Sequence, residues 1–157
     1  MKSDLTKEEP LINKEIEIVN NLAFRYKMQT TYLGADKFSN IDGIFHDKNK
    51  IQAIYDIKIK PQSYSWIQDY KSTLVSYHKF NMGCEMSRIL KTKFLYIIGT
   101  SDNKILVFTI TDNKGKIQTS INIRNSDNTK NNSKFENHLS AYLLLDSKTL
   151  KVFDLNE

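Results

Sequence analysis

The chain has 157 residues, enough for one domain with a real core and short for two, and its one cysteine, Cys84, excludes an internal disulfide and fits a reducing compartment. Apolar residues make up 39% and charged residues 26%, which excludes a disordered polyelectrolyte, and apolar runs no longer than Phe94–Ile98 exclude a membrane-spanning helix. The net charge of +5 suits a polyanionic partner, although 20 Lys against 3 Arg, with many Asn and Ile, is also the composition of an AT-rich genome.

Met1–Pro10 is densely charged, so no secretory signal is expected and a cytoplasmic protein is, with a phage or mobile element as one candidate source. Residues 8–27 read as a helix, because Ile12, Ile16, Val19, Leu22 and Ala23 recur at helical spacing; Thr6 or Asp4 would cap its start, and Glu8 and Glu9 favour its first turn. Residues 38–46 and 51–60 read as two strands around the polar turn Asp47-Lys48-Asn49-Lys50, and Pro61 ends the second. The spacing predicts a second helix over about 65–81, with Ile67, Tyr70, Leu74 and Tyr77 on one stripe and Gly83 at its C-terminal stop. Phe94–Gly99 is a continuous apolar run, the pattern of a buried strand. Ile105–Ile110 and the weaker Ile117–Ile123 follow as strands, Arg124–Lys134 as an Asn- and Ser-rich loop, and Ala141–Leu145 and Leu150–Leu155 as a terminal pair of strands. The second helix would link strand 51–60 to strand 94–99 as a right-handed parallel crossover. The class is therefore α/β, a mixed sheet with helices packed on it.

Chemistry gathers on strand 51–60. Its odd positions, Ile51, Ala53, Tyr55, Ile57 and Ile59, form an unbroken apolar face, and its even positions set Asp56 beside Lys58 on the other. A three-residue turn, 48–50, places Asp47 opposite Ile51, His46 opposite Gln52, Phe45 opposite Ala53, Ile44 opposite Ile54, Gly43 opposite Tyr55 and Ile41 opposite Ile57. Asp42 then lies opposite Asp56, and a one-residue slip would drive it onto the apolar face. Two facing carboxylates repel unless a cation stands between them. Glu15 shares the helical stripe of Ile12, Val19 and Leu22, and a glutamate on a core-facing stripe needs a partner.

A helical Glu, Asp-Gly on one strand and Asp-x-Lys on the next, followed by a helix and a strand, resembles the PD-(D/E)xK nuclease superfamily. The matching residues are Glu15, Ile41-Asp42-Gly43 and Asp56-Ile57-Lys58, spread over residues 8–100, with Ile in place of Pro before Asp42. The resemblance implies a restriction-endonuclease-like mixed central sheet flanked by helices. It implies one nuclease domain over 1–157, with a catalytic core at about 8–110 and C-terminal strands in 117–157. It implies a catalytic set of Glu15, Asp42, Asp56 and Lys58, and Mg²⁺ or Mn²⁺ held by Asp42, Asp56, the Ile57 carbonyl and Glu15. The activity expected is phosphodiester hydrolysis in DNA by an endonuclease, whether of restriction, homing or junction-resolving type.

Lys60, Gln62, Lys71 and Lys79 are candidates for phosphate-backbone contacts, with a solvated helix face as the alternative. No Cys or second His stands near His46 or His78 at ligand spacing, so both read as structural or surface groups. Trp66 and Tyr64 carry flat faces on which bases can stack, but core packing is the preferred reading. Cutting both strands of a duplex needs two sites, so a symmetric dimer or tetramer is expected. A non-catalytic nucleic-acid- or protein-binding module on the same fold is the rival reading.

Overall fold

A computed structural model describes residues 9–36, 39–126 and 138–157. Helix α1 (Glu9–Arg25) is followed by strands β1 (Gln29–Tyr32), β2 (Gly43–Asp47) and β3 (Lys50–Ile59). Then come α2 (Tyr64–Tyr70), β4 (Ser72–Ser76), α3 (Tyr77–Leu90), β5 (Lys93–Gly99) and β6 (Lys104–Thr109), and finally β7 (Ile121–Ser126), β8 (His138–Leu144) and β9 (Leu150–Asp154). The main sheet has six strands in the order β1-β2-β3-β5-β6-β9, and β4-β8-β7 form a second sheet. In the main sheet β3 and β5 are parallel and the other neighbours antiparallel, so the sheet is mixed, as expected, and the class is α/β.

The main sheet is buried on both faces. On one, Val19 and Leu22 of α1 pack on Tyr55, Ile57, Ile97 and Val107. On the other, Phe80 and Cys84 of α3, with Val75, Ala141 and Leu143 of the small sheet, cover Ile54, Ile98 and Leu106. The even-numbered face of β3 is therefore a second core rather than a polar surface, and Asp56 is only 2% exposed within it. In α1 the buried stripe is Glu15, Ile18, Val19, Leu22 and Ala23; Ile12 and Ile16 are only half-buried, because Ile18 is the residue that turns inward. The predicted caps Thr6 and Asp4 lie outside the described residues.

The hairpin keeps the predicted register where it matters, with Gly43, Ile44 and Phe45 opposite Tyr55, Ile54 and Ala53. Nearer the turn it differs. Asp47 pairs with Lys50 and His46 with Ile51, around a two-residue turn in which Lys48 adopts φ 51°. A bulge between Phe45 and His46 absorbs the one-residue difference. Ile41 packs in the second core and not beside Ile57, because the chain leaves the ladder at Asp42.

The single helix predicted over 65–81 is two helices with a strand between them. Lys71 takes a left-handed φ of 60° and ends α2, its N–H donating to the Gln68 carbonyl. Ser72–Ser76 then alternates, with Thr73 and Val75 buried, and β-branched residues at those positions suit a strand that has β8 to pair with. Tyr70 and Leu74, expected on one helical stripe with Ile67, are exposed while Ile67 is buried. Gly83 is no helix stop. It lies inside α3, which runs to Leu90 and is capped by Lys91 at φ 53°. The terminal strands do not pair with each other: β8 lies between β4 and β7, and β9 joins the edge of the main sheet through β6. The C-terminal third is thus built into both sheets rather than added to a finished core. Ile117 forms only an isolated bridge with Thr111, and Arg124, assigned to the loop, continues β7; residues 127–134 of that loop lie outside the described residues. No helix among the described residues is long and apolar enough to cross a membrane.

Gly83 marks where α3 touches the sheet. A Cβ there would stand 2.2 Å from the ring of Phe94, which is fully buried and cannot retreat. Gly83→Ala, which by helix propensity should stabilise, is therefore expected to cost about 1–3 kcal/mol through overpacking. Urea denaturation measures it, and an unchanged or raised midpoint would show that the helix can lift off Phe94.

Candidate active site

Asp42 stands just before β2 and Asp56 in the middle of β3, and each carboxylate accepts a backbone N–H from the other's segment, Asp56 from Asp42 and Asp42 from Ile57. The Asp42 N–H donates to Asp56 Oδ1 at 3.1 Å and to the Tyr55 carbonyl at 3.0 Å, and the Ile57 N–H donates to Asp42 Oδ2 at 2.9 Å. Both side chains are buried, at 5% and 2% exposure. Gly43 makes this approach possible: a Cβ at that position would lie 2.2 Å from the Tyr55 hydroxyl and 2.7 Å from the Thr31 carbonyl oxygen. Glycine is needed after Asp42 for lack of space.

Across the gap, the first turn of α3 supplies a cation. Lys79 Nζ lies 3.5 Å from Asp42 Oδ1 and 3.7 Å from Asp56 Oδ1. Ser76 caps this turn, its hydroxyl accepting from the Lys79 N–H, and so fixes where the lysine leaves the helix. The three charges line a cleft of about 510 Å³ with Ile57, Lys58 and Lys60. Leu74, Val75 and Ser76 of β4 and Ser140 of β8 form the opposite wall. Lys58 is exposed at the rim, whereas Lys60 is half-buried and donates to the Leu74 carbonyl at 3.0 Å. Burial, reinforced by the charge of Lys58, holds the Lys60 ammonium below the ordinary lysine range.

Asp42, Asp56, Ile57 and Lys58 are thus brought together at one cleft. Glu15 is not among its lining residues. Its carboxylate is buried and accepts a 2.6 Å hydrogen bond from the Tyr32 hydroxyl. Burial first, and that hydrogen bond second, push the Tyr32 phenol far above its usual range, so it stays a donor to Glu15. Tyr96 neighbours Asp56 across the parallel β3–β5 pair and lines the cleft. Its hydroxyl is likewise kept protonated, first by burial and then by Asp56, Asp42 and Glu15.

The four expected phosphate contacts divide. Lys60 and Lys79 line the cleft, Gln62 lines a neighbouring groove that also contains Lys60, and Lys71 lies in a separate groove with Tyr64 and Gln68. Lys71 and Lys79 do not share a helix, since β4 separates them. His46 contacts Thr31 at 3.1 Å, and neither it nor His78 lines the cleft. Tyr96, Ser76 and Ser140 carry no motif; Tyr96 is one apolar-looking residue in a buried run, and the two serines reach the cleft only through pairing of β4 with β8.

No protein-family model matches the sequence, and no curated protein matches it.

Among the described residues no three His, Cys, Asp or Glu side chains stand close enough together to share a metal ion. The donor set is instead a pair of carboxylates already converging on one positive charge. Two hard oxygen ligands with a combined charge of −2 suit Mg²⁺ or Mn²⁺ in kind, and Ile57 lines the same cleft.

Lys79 is 40% exposed while both acids are nearly buried, so its contribution lies between that of a surface pair and that of a buried one. Lys79→Met is expected to lose about 1–3 kcal/mol of stability, most of it recovered when Asp56→Asn is added, because the neutral amide no longer opposes Asp42. Denaturant melts of the two single variants and the double variant measure the coupling. Additive losses would show that Lys79 does not neutralise the pair.

Proposed function

We propose that this protein is a divalent-metal-dependent endonuclease of the PD-(D/E)xK, restriction-endonuclease-like kind, cutting phosphodiester bonds in DNA. The observation that carries this reading is the convergence of two buried carboxylates from adjacent strands on one cation, in a cleft whose other charged lining residues are Lys58 and Lys60. The mixed sheet with a parallel β3–β5 pair behind them supports it. Asp42, Asp56 and the Ile57 carbonyl would hold Mg²⁺ or Mn²⁺, with Glu15 set behind them on Tyr32. When bound, the ion would polarise the phosphate and acidify the attacking water.

The protein's own groups do the rest. Lys58 at the rim faces the entering phosphodiester and would take the water's proton or balance the charge growing on the phosphate. Lys79, released from the acids by a stronger cation, would turn its ammonium to a phosphate oxygen. Lys60 is committed to the Leu74 carbonyl and fixes the strand end. A duplex cut on both strands would need a symmetric dimer or tetramer.

A second reading follows from the same lysine. An ammonium that permanently neutralises Asp42 and Asp56 would leave a non-catalytic DNA- or protein-binding module. Pure protein with Mg²⁺ or Mn²⁺ is tested on supercoiled plasmid, linear duplex, single strand and four-way junction. Cleavage is expected in at least one, abolished by chelation and by Asp56→Ala or Lys58→Ala in variants that melt normally. Ca²⁺ should bind without turnover and raise the melting temperature, more in Lys79→Met than in wild type because no ammonium must be displaced. DNA binding with no cutting in any metal, and no thermal response to any divalent ion, would establish the non-catalytic module.

A further inference from the structure

Next to the cleft lies an aromatic groove of about 260 Å³ whose lining includes Lys60, Gln62, Trp66, Tyr70, Leu74 and Tyr142. It shares Lys60 and Leu74 with the cleft, so the two are continuous at the end of β3. Trp66 is 45% exposed and Tyr70 63%, although the sequence favours core packing for Trp66. Their rings lie against each other, centroids 4.2 Å apart and tilted by 30°. An isolated exposed aromatic needs no explanation, but two in contact beside an exposed Leu74 form an apolar patch that water solvates poorly.

The charge beside this patch is positive. Lys60 lines it, the Arg124 guanidinium stands 5.0 Å from the centre of the Tyr142 ring, and no carboxylate belongs to the lining among the described residues. An occupant with flat apolar faces and a negative backbone matches both features. The groove is smaller than the roughly 300–1,000 Å³ typical of drug-sized ligands, which fits a single base and not the side of a duplex.

We propose that Trp66 and Tyr70 form a stacking platform for an unpaired base of the nucleic acid whose neighbouring phosphates lie along Lys60 toward Asp42 and Asp56. The inference rests on the nucleic-acid reading of the cleft and specifies its substrate: a strand with unpaired bases next to the scissile phosphate, such as a flap, a bubble or a single strand. The bases stack without sequence preference, because each offers a π-face.

Trp66 is the one tryptophan in the chain, so its emission reports on this groove alone. In Ca²⁺, wild-type protein is titrated with fluorescein-labelled oligothymidylate, the same strand with abasic sites in place of its bases, and a fully paired duplex of equal length. Anisotropy of the label follows binding independently of Trp66. The base-bearing strand should quench Trp66, and the abasic strand should bind more weakly without quenching. Trp66→Ala should weaken single-strand binding by about 5- to 100-fold, with the duplex little affected, and Trp66→Phe should retain most of the affinity. Anisotropy changes with no response at Trp66, or equal quenching by the abasic strand, would overturn the platform and leave the nuclease reading standing. Loss of a dimer in light scattering of Trp66→Ala would overturn it too, by giving the face to a second copy of the chain. No binding of any strand would overturn both readings.

Discussion

Two carboxylates held side by side inside a sheet are the constraint around which this molecule is arranged. Burying an anion is costly unless it is hydrogen-bonded and neutralised, and burying two in contact adds their repulsion. The chain meets both demands with short-range means. One backbone N–H binds one oxygen of each acid, Asp42 N–H to Asp56 Oδ1 and Ile57 N–H to Asp42 Oδ2, and the Lys79 ammonium stands 3.5 and 3.7 Å from the pair. An apolar core of the same shape would fold with less difficulty, so the acids cost stability that packing elsewhere must offset.

Several features away from the acids follow from this demand. Gly43 lets β2 lie close over Tyr55, and the bulge after Phe45 keeps the register at the acids independent of the turn. Gly83 lets α3 lie directly on Phe94, and so brings the N-terminal turn of the same helix, with Lys79, over the strand ends. Ser76 ends β4 and caps α3 at once, tying the small sheet to the cation.

The small sheet turns a covered layer into a cleft. Without β4 and β8, Asp56 and Tyr96 would lie on an open face of the main sheet; with them, the charges sit against a wall where the effective dielectric is low and Coulomb interactions are stronger. The Lys60 bond to the Leu74 carbonyl joins that wall to β3, where the cleft meets the aromatic groove. The same lysine thus fixes the geometry of one site and supplies charge to the other.

Local periodicity encodes the central register of the hairpin and the two faces of β3. Side chains on a strand alternate strictly, so once Ala53, Tyr55, Ile57 and Ile59 claim one core, Asp56 and Lys58 must share the opposite face, and only one register keeps Asp42 with them; Ile51, beside the turn, is exposed. The parallel β3–β5 pair and a buried Glu15 were legible for the same reason: local periodicity encodes them. The remaining features depend on pairing between distant segments. Ser72–Ser76 shows a helical stripe as well as a strand alternation, and β8, from the far end of the chain, selects the strand. That choice splits the predicted helix, exposes Trp66 and Tyr70, moves Lys71 away from the acids and turns Lys79 toward them. The second core over Asp56 was equally hidden, because a strand covered on both faces can carry one polar residue without breaking its pattern. Periodicity specifies which way a side chain points, and long-range pairing specifies what it meets there.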